Sequence, residues 1–204
     1  MPEQILKQEK VEQIKSTIDT VLGQIGSFHI IDNPSLLPEG LKPIARSVSW
    51  LMEQIVVQNL RKNKDLLNLE FVLDPPYNVS QYDCKLKYKN DSIIYHLNIK
   101  TSLLQTNHNS RFDVSKAPKL VKFYRDVPDL NLIIAVVKID LKDTKISFRN
   151  SIIFNVAWTP DIYYNRANHN LQSCCDGSQI VRTNSEFIQL LEDKLEEKGH
   201  STHY

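Results

Sequence analysis

The chain has 204 residues, 41% hydrophobic and 24% charged, which suits one globular domain with a substantial core and leaves too little for two. Its net charge of +1 excludes a uniformly basic nucleic-acid coat, so any DNA contact must come from local patches. Three cysteines, Cys84 and the adjacent Cys174 and Cys175, have neither disulfide-framework nor zinc-ligand spacing, and the charged N-terminus lacks a signal core. These features point to a reducing cytoplasm, and with no apolar run near the roughly 20 residues of a membrane span, no membrane partner is expected.

In chain order, residues 3–25 predict a helix with Ile5, Val11, Ile14, Ile18, Val21, Leu22 and Ile25 on one stripe, ended by Gly23 and Gly26. Three prolines make 28–43 a loop. A second helix is expected over about 43–62, opening at Pro43, with Ile44, Val48, Leu51, Met52, Ile55, Val56 and Leu60 on its buried face and Glu53 off that stripe. Leu66–Leu73 reads as a short strand closed by Asp74-Pro75-Pro76. Between Ser102 and Lys116 lies a polar stretch with His108 and Arg111, a connection or a DNA-contacting loop. Lys116–Arg125 predicts a basic helix carrying Lys116, Lys119, Lys122 and Arg125 at a spacing that could track phosphates or simply face solvent. Leu130–Ile139 is apolar almost throughout, as for a strand buried on both faces, and Lys145–Phe154 follows a turn at Lys142-Asp143 as a further strand. Residues 158–172 are dense in amide, aromatic and Arg side chains, either a long surface loop or a base-reading segment offering Asn165, Arg166, Asn168, His169, Asn170 and Gln172. Thr183-Asn-Ser-Glu186 is a capping box opening a helix with the stripe Phe187, Leu190, Leu191 and Leu195.

The chemistry concentrates in residues 82–101. Apolar and polar residues alternate on both sides of Asn90-Asp91, predicting a hairpin turning through those two residues. That register sets Asp83 opposite Asn98, with Lys100 on the same face, while Tyr82, Cys84, Leu86 and Tyr88 meet Ile93, Tyr95, Leu97 and Ile99 on a core face. Opposed side chains on one face lie about 5 Å apart, close enough for a carboxylate and a second oxygen to share a hard cation. A neighbouring lysine can orient an attacking water, a combination suited to phosphodiester hydrolysis.

Asp83, a spacer and Asn98-Ile99-Lys100 ahead of Thr101-Ser102 resemble the motif of the PD-(D/E)xK nucleases, and among them the small type II restriction endonucleases. Tyr82 stands where that motif has proline, and Asn98 where it has an acid. The resemblance implies that Asp83, Asn98 and the backbone carbonyl of Ile99 hold Mg²⁺, with Mn²⁺ as a substitute, and that Lys100 handles the water. Because an amide brings no charge, Glu53 or Glu70 is the candidate to supply it, with Asp74 a weaker one. The resemblance implies double-stranded DNA as substrate, a homodimer to match a palindromic site, and a bacterial or archaeal cytoplasm. Lys116, Lys119, Arg111, Asn165, Arg166, Asn168, His169 and Asn170 are the candidate DNA contacts. The expected architecture is α/β, a mixed central sheet flanked by helices, in one domain over 1–204. Its parts are N-terminal helices to 62, a catalytic core over about 63–155, and a recognition segment with a C-terminal helix from about 156. Asn98 keeps two rivals open: a repair or junction nuclease of the same superfamily, and a DNA-binding module on a nuclease scaffold that no longer cuts.

Overall fold

The structure, a computed structural model, describes residues 6–42, 44–76, 80–104, 111–127, 129–174 and 179–196. Six strands form one mixed sheet: β1 (Ser27–His29), β2 (Leu69–Leu73), β3 (Cys84–Tyr88), β4 (Tyr95–Leu103), β6 (Asn131–Lys142) and β7 (Lys145–Asn155). Their spatial order is β1-β7-β6-β4-β3-β2, with β4 and β6 parallel and every other pair antiparallel. Three more strands, β5 (Arg111–Lys116), β8 (Ile162–Asn165) and β9 (Asn170–Cys174), make a separate antiparallel sheet in the order β5-β9-β8. The helices are α1 (Gln8–Ile25), α2 (Ser49–Lys62), α3 (Ala117–Asp126) and α4 (Asn184–Glu196). A mixed sheet flanked by helices is the architecture expected.

The apolar run of β6 has the reason the pattern gave it: Leu132 through Val137 are wholly buried, because helices cover both faces of the sheet's centre. On one face α1 buries Val11, Ile14, Ile18, Val21 and Leu22, and Thr17 shares a 2.7 Å hydrogen bond with the Tyr88 hydroxyl. Asp19 fastens α1 to β7, its Oδ1 accepting from the Ser151 backbone N–H (2.9 Å) and hydroxyl (2.7 Å). On the opposite face α3 sets Phe123 against His96 and Tyr82, and Tyr124 meets Phe187 of α4 edge-on.

Several local expectations are corrected. The first helix runs through Gly23 and ends only at Gly26, whose φ of 66° and N–H bond to the Leu22 carbonyl make the cap; residues 3–5, Ile5 among them, lie outside the described residues. The segment after it is not all loop, since Ser27–His29 pair with β7 and Pro34–Leu36 form a 3₁₀ turn. A 3₁₀ turn at Ala45–Ser47 precedes α2, so Ile44 is exposed and Val57 joins Met52, Val56 and Leu60 in the core; Pro43 is outside the described residues. The strand expected from Leu66 begins at Leu69, because Asn68 turns with a positive φ of 56°. The capping box forms as expected: Glu186 accepts from the Thr183 N–H at 2.8 Å while the Thr183 hydroxyl accepts from the Glu186 N–H at 3.2 Å.

Candidate functional site

The register expected for the central hairpin is the one observed: Cys84 faces Leu97, Lys85 faces His96 and Leu86 faces Tyr95. Its closure differs. Residues 89–94 intervene between β3 and β4, and Asp91 organises them rather than sitting in a two-residue turn. The Asp91 carboxylate accepts from the Ile93 N–H (3.0 Å) and the Tyr95 hydroxyl (3.0 Å), and pairs with Lys10 of α1 at 2.9 Å. Those bonds hold its carboxyl below the usual range despite burial, which pulls the other way.

At the other end the strands part, and side chains take over from the ladder. Asp83 N–H still donates to the Leu97 carbonyl at 2.7 Å. One position further, the Ile99 N–H donates not to a carbonyl but to Asp83 Oδ2, at 2.6 Å. Asn98 Nδ2 reaches the Gln81 carbonyl at 2.9 Å. The face expected to be wet is covered here: Asn98 is 6% and His96 4% exposed. Tyr82 also departs from expectation, because the bend at Asp83 breaks the alternation. Its ring lies against His96, Phe123 and the Lys85 ammonium, on the face opposite Cys84 and Leu86. In that surround His96 is held down to about 4 by burial and then by Lys85.

The structure brings Glu53, Asp83 and Lys100 together. Burial raises the Asp83 carboxyl, opposed by the Ile99 N–H and then by the Lys100 ammonium. Glu53 of α2 is raised by burial, then by the Asp83 charge, with Lys100 drawing it down. Two acids that repel each other and one ammonium make an under-neutralised group, and on β4 Asn98 Oδ1 is buried with no hydrogen-bond partner among the described residues. Among the described residues no three His, Cys, Asp or Glu side chains gather as a metal centre of those ligands. The donors available here are two carboxylates and an amide oxygen, a set that suits a hard cation.

The remaining candidates are placed elsewhere. Glu70 of β2 pairs with Lys87 of β3 at 2.6 Å, and Asp74 with Arg61 at 2.6 Å. Residues 102–116 are not a simple loop, since β4 runs to Leu103 and β5 begins at Arg111; His108 lies outside the described residues. The basic helix is α3, with Ala117, Leu120, Val121 and Tyr124 inward and Lys116 and Lys119 exposed at its start. Lys122 pairs with Asp126 at 2.9 Å, and Arg125 with Glu192. The stretch 158–172 is not a long loop but the β8–β9 hairpin, turning at Arg166–His169. There His169, at φ 60°, meets the Tyr164 hydroxyl through Nδ1 at 2.6 Å, and Asn165 Oδ1 accepts from the Ala167 N–H. Asn168, Asn170 and Gln172 all donate to Asp113, a residue the sequence reading missed. Its signal was the alternation of Phe112 and Val114 with polar neighbours, which marks a half-buried strand.

No family model matches the chain, and no curated protein matches it. Among solved structures it is similar to NlaIV restriction endonuclease, with a TM-score of 0.57 and 12% sequence identity, over 90% of this chain and 78% of that one. At that identity the likeness is one of fold, and the fold is restriction-endonuclease-like.

Proposed function

We propose that the chain is a type II site-specific endonuclease that hydrolyses phosphodiester bonds in double-stranded DNA, with Mg²⁺ bound and Mn²⁺ as a substitute. The observation that carries the reading is the meeting of Glu53, Asp83 and Lys100 where β3 and β4 part, on a fold like that of NlaIV restriction endonuclease. Asp83 and Glu53, the Asn98 Oδ1 and the Ile99 carbonyl would hold the cation, which when bound lowers the pKa of a water and offsets phosphate charge. Asp83 is kept in place by the Ile99 N–H, which commits one carboxylate oxygen, Oδ2, to the backbone. Lys100 donates a hydrogen bond to the attacking water and balances negative charge growing on the phosphoryl oxygens. Glu53 adds the charge that Asn98 lacks. A homodimer would set two such sites on the two strands of a palindrome.

Incubation of plasmid and phage DNA with Mg²⁺ or Mn²⁺ tests this. Discrete fragments are expected from the parent chain and none from Lys100→Ala. Intact DNA with the parent in both metals, or equal cutting by Lys100→Ala, would overturn the reading. One observation favours a second reading, binding without cleavage: the Asn98 amide is engaged by the Gln81 carbonyl and brings no charge. Its mark in the same assay is sequence-selective retention of DNA with no fragments in either metal.

A further inference from the structure

The three-stranded sheet has two unlike faces. Phe112, Val114, Ile162, Tyr164, Leu171 and Ser173 turn inward, Leu171 and Ser173 completely. The alternate positions turn outward, and the register sets Asp113, Gln172 and Tyr163 in one row across all three strands. On this outer face the polar side chains are ordered around a single carboxylate. Gln172 Nε2 donates to Asp113 at 2.6 Å, Asn170 Nδ2 at 2.9 Å and Asn168 Nδ2 at 3.4 Å. Asn168 Oδ1 in turn accepts from the Asn170 N–H at 3.0 Å. Beside them the Arg111 guanidinium lies over the Tyr163 ring, 4.2 Å from its centre, with Tyr163 itself 48% exposed.

Ordering three amides on a solvated face costs rotamer freedom that surface hydrogen bonds return only in small part. The arrangement has one consequence for a ligand. A primary amide carries its carbonyl opposite its NH₂, so amides whose N–H groups converge on Asp113 turn their oxygens away from it. Asn170 and Gln172 therefore present fixed acceptors, and Arg111 a fork of donors held over an aromatic ring. Arg166 at the hairpin tip and Lys116 at the end of β5 rim the face with positive charge, while three donors shield the one acid at its centre. Base edges in the major groove of duplex DNA carry amine donors on adenine and cytosine and paired acceptors on guanine, framed by phosphates, and that groove admits an antiparallel ribbon.

We propose that the outer face of β5-β9-β8 is the base-reading surface of this protein, with Asp113 the positioning residue that aims Asn170 and Gln172 at exocyclic amines beside Arg111 as a guanine reader. The proposal rests on the reading of the chain as a DNA-acting enzyme, and goes beyond it by assigning readers and the group that organises them. Asp113 touches no base; it acts by fixing the amides.

The test is binding selection of the full chain on a randomised duplex library, with Ca²⁺ replacing Mg²⁺, run beside Asp113→Ala and Gln172→Leu. The parent is expected to enrich one motif. Both variants are expected to lose about tenfold or more of the preference for that motif over scrambled duplex, while their affinity for scrambled duplex and its salt dependence stay near the parent's. Gln172→Leu changes only the outer face, so it carries the test if Asp113→Ala fails to fold. Unchanged preference in the variants, or no enriched motif with the parent, overturns the proposal. Plasmid cleavage in Mg²⁺ reports separately on the enzyme: fragments without a motif-dependent loss in the variants leave the nuclease standing and the reading surface refuted. Selective binding that the variants lose, without cleavage by the parent, does the reverse.

Discussion

Asn98→Asp introduces an acid at the position where the motif this chain resembles has one, and the structure predicts that it harms the protein in the absence of a divalent cation. Asn98 Nδ2 donates to the Gln81 carbonyl, and Asn98 itself is only 6% exposed. An ionised carboxylate cannot donate, so the substitution removes one buried hydrogen bond, about 1 kcal/mol, and leaves the Gln81 carbonyl facing an acceptor, about another 1–3 kcal/mol. It also puts a third negative charge beside Asp83 and Glu53, with Lys100 the cation that already acts on both. The expected loss in EDTA at pH 8 is about 2–4 kcal/mol, or about 4–16 °C in melting temperature for a chain of this size. The sign with pH follows from burial. The new carboxyl has its folded pKa raised, so the penalty is present above that pKa and fades as pH falls below it, where the neutral acid can donate to Gln81 again. Millimolar Mg²⁺ should recover part of the loss at pH 8 and none at pH 5. Melting curves at both pH values, with EDTA or Mg²⁺, read this directly. A variant melting within about 2 °C of the parent in EDTA at pH 8 would refute the role given to the Asn98–Gln81 bond.

Glu53→Gln should show the opposite balance. Glu53 and Asp83 have raised carboxyls, so each adds stability at low pH that is lost as pH rises through its folded value. Neutralising Glu53 should lift the melting temperature in EDTA at pH 8 by about 1–3 °C while slowing cleavage, with the gain disappearing on acidification; a lower melting temperature at pH 8 counts against the mutual repulsion. His96, held near 4, is neutral in the folded chain while the unfolded chain takes up a proton near 6.5, so stability falls as pH drops from 6.5 towards 4, by up to about 3 kcal/mol. His96→Phe, which keeps the aromatic contacts of Tyr82 and Phe123, should flatten that slope, and denaturant midpoints at pH 7 and 4.5 that shift equally in both proteins would exclude it. Thr183→Ala removes one half of the reciprocal cap on α4 and should cost about 1 kcal/mol, seen as faster amide exchange in the first turn of that helix; unchanged exchange would show the cap to be idle.

The parts legible in the sequence were those where one face is greasy and the other is not. Alternation over 84–88 and 95–99 gave the hairpin register to the residue, because a slip by one would have turned Cys84, Leu86, Tyr95 and Leu97 out of the core. Its turn was misread because Asp91 bonds to Ile93, Tyr95 and Lys10, and the last of these is distant in sequence. Tyr82 was assigned to the wrong face for a related reason: alternation holds only while the backbone is a strand, and the strand stops at Asp83. The small sheet escaped notice because its outer positions are Asn, Gln, Asp and Arg, types that usually mark loops, and its strands have only four to six residues. Glu53 stood out in the sequence only as an acid off a helical stripe, and its proximity to Asp83 is set by how α2 packs against β4, which no local pattern encodes.

The bond from the Ile99 N–H to Asp83 Oδ2 places a side chain in a slot that the backbone ladder would otherwise fill. The carboxylate that the proposed endonuclease reading assigns to the cation is thus also a rung between two strands, and one of those strands lies towards the centre of the sheet. Closing the sheet and assembling the acid's geometry become one cooperative event, so the chain needs no later step to set Asp83. A population that has folded its central strands has this carboxylate in place, and one that has not lacks it.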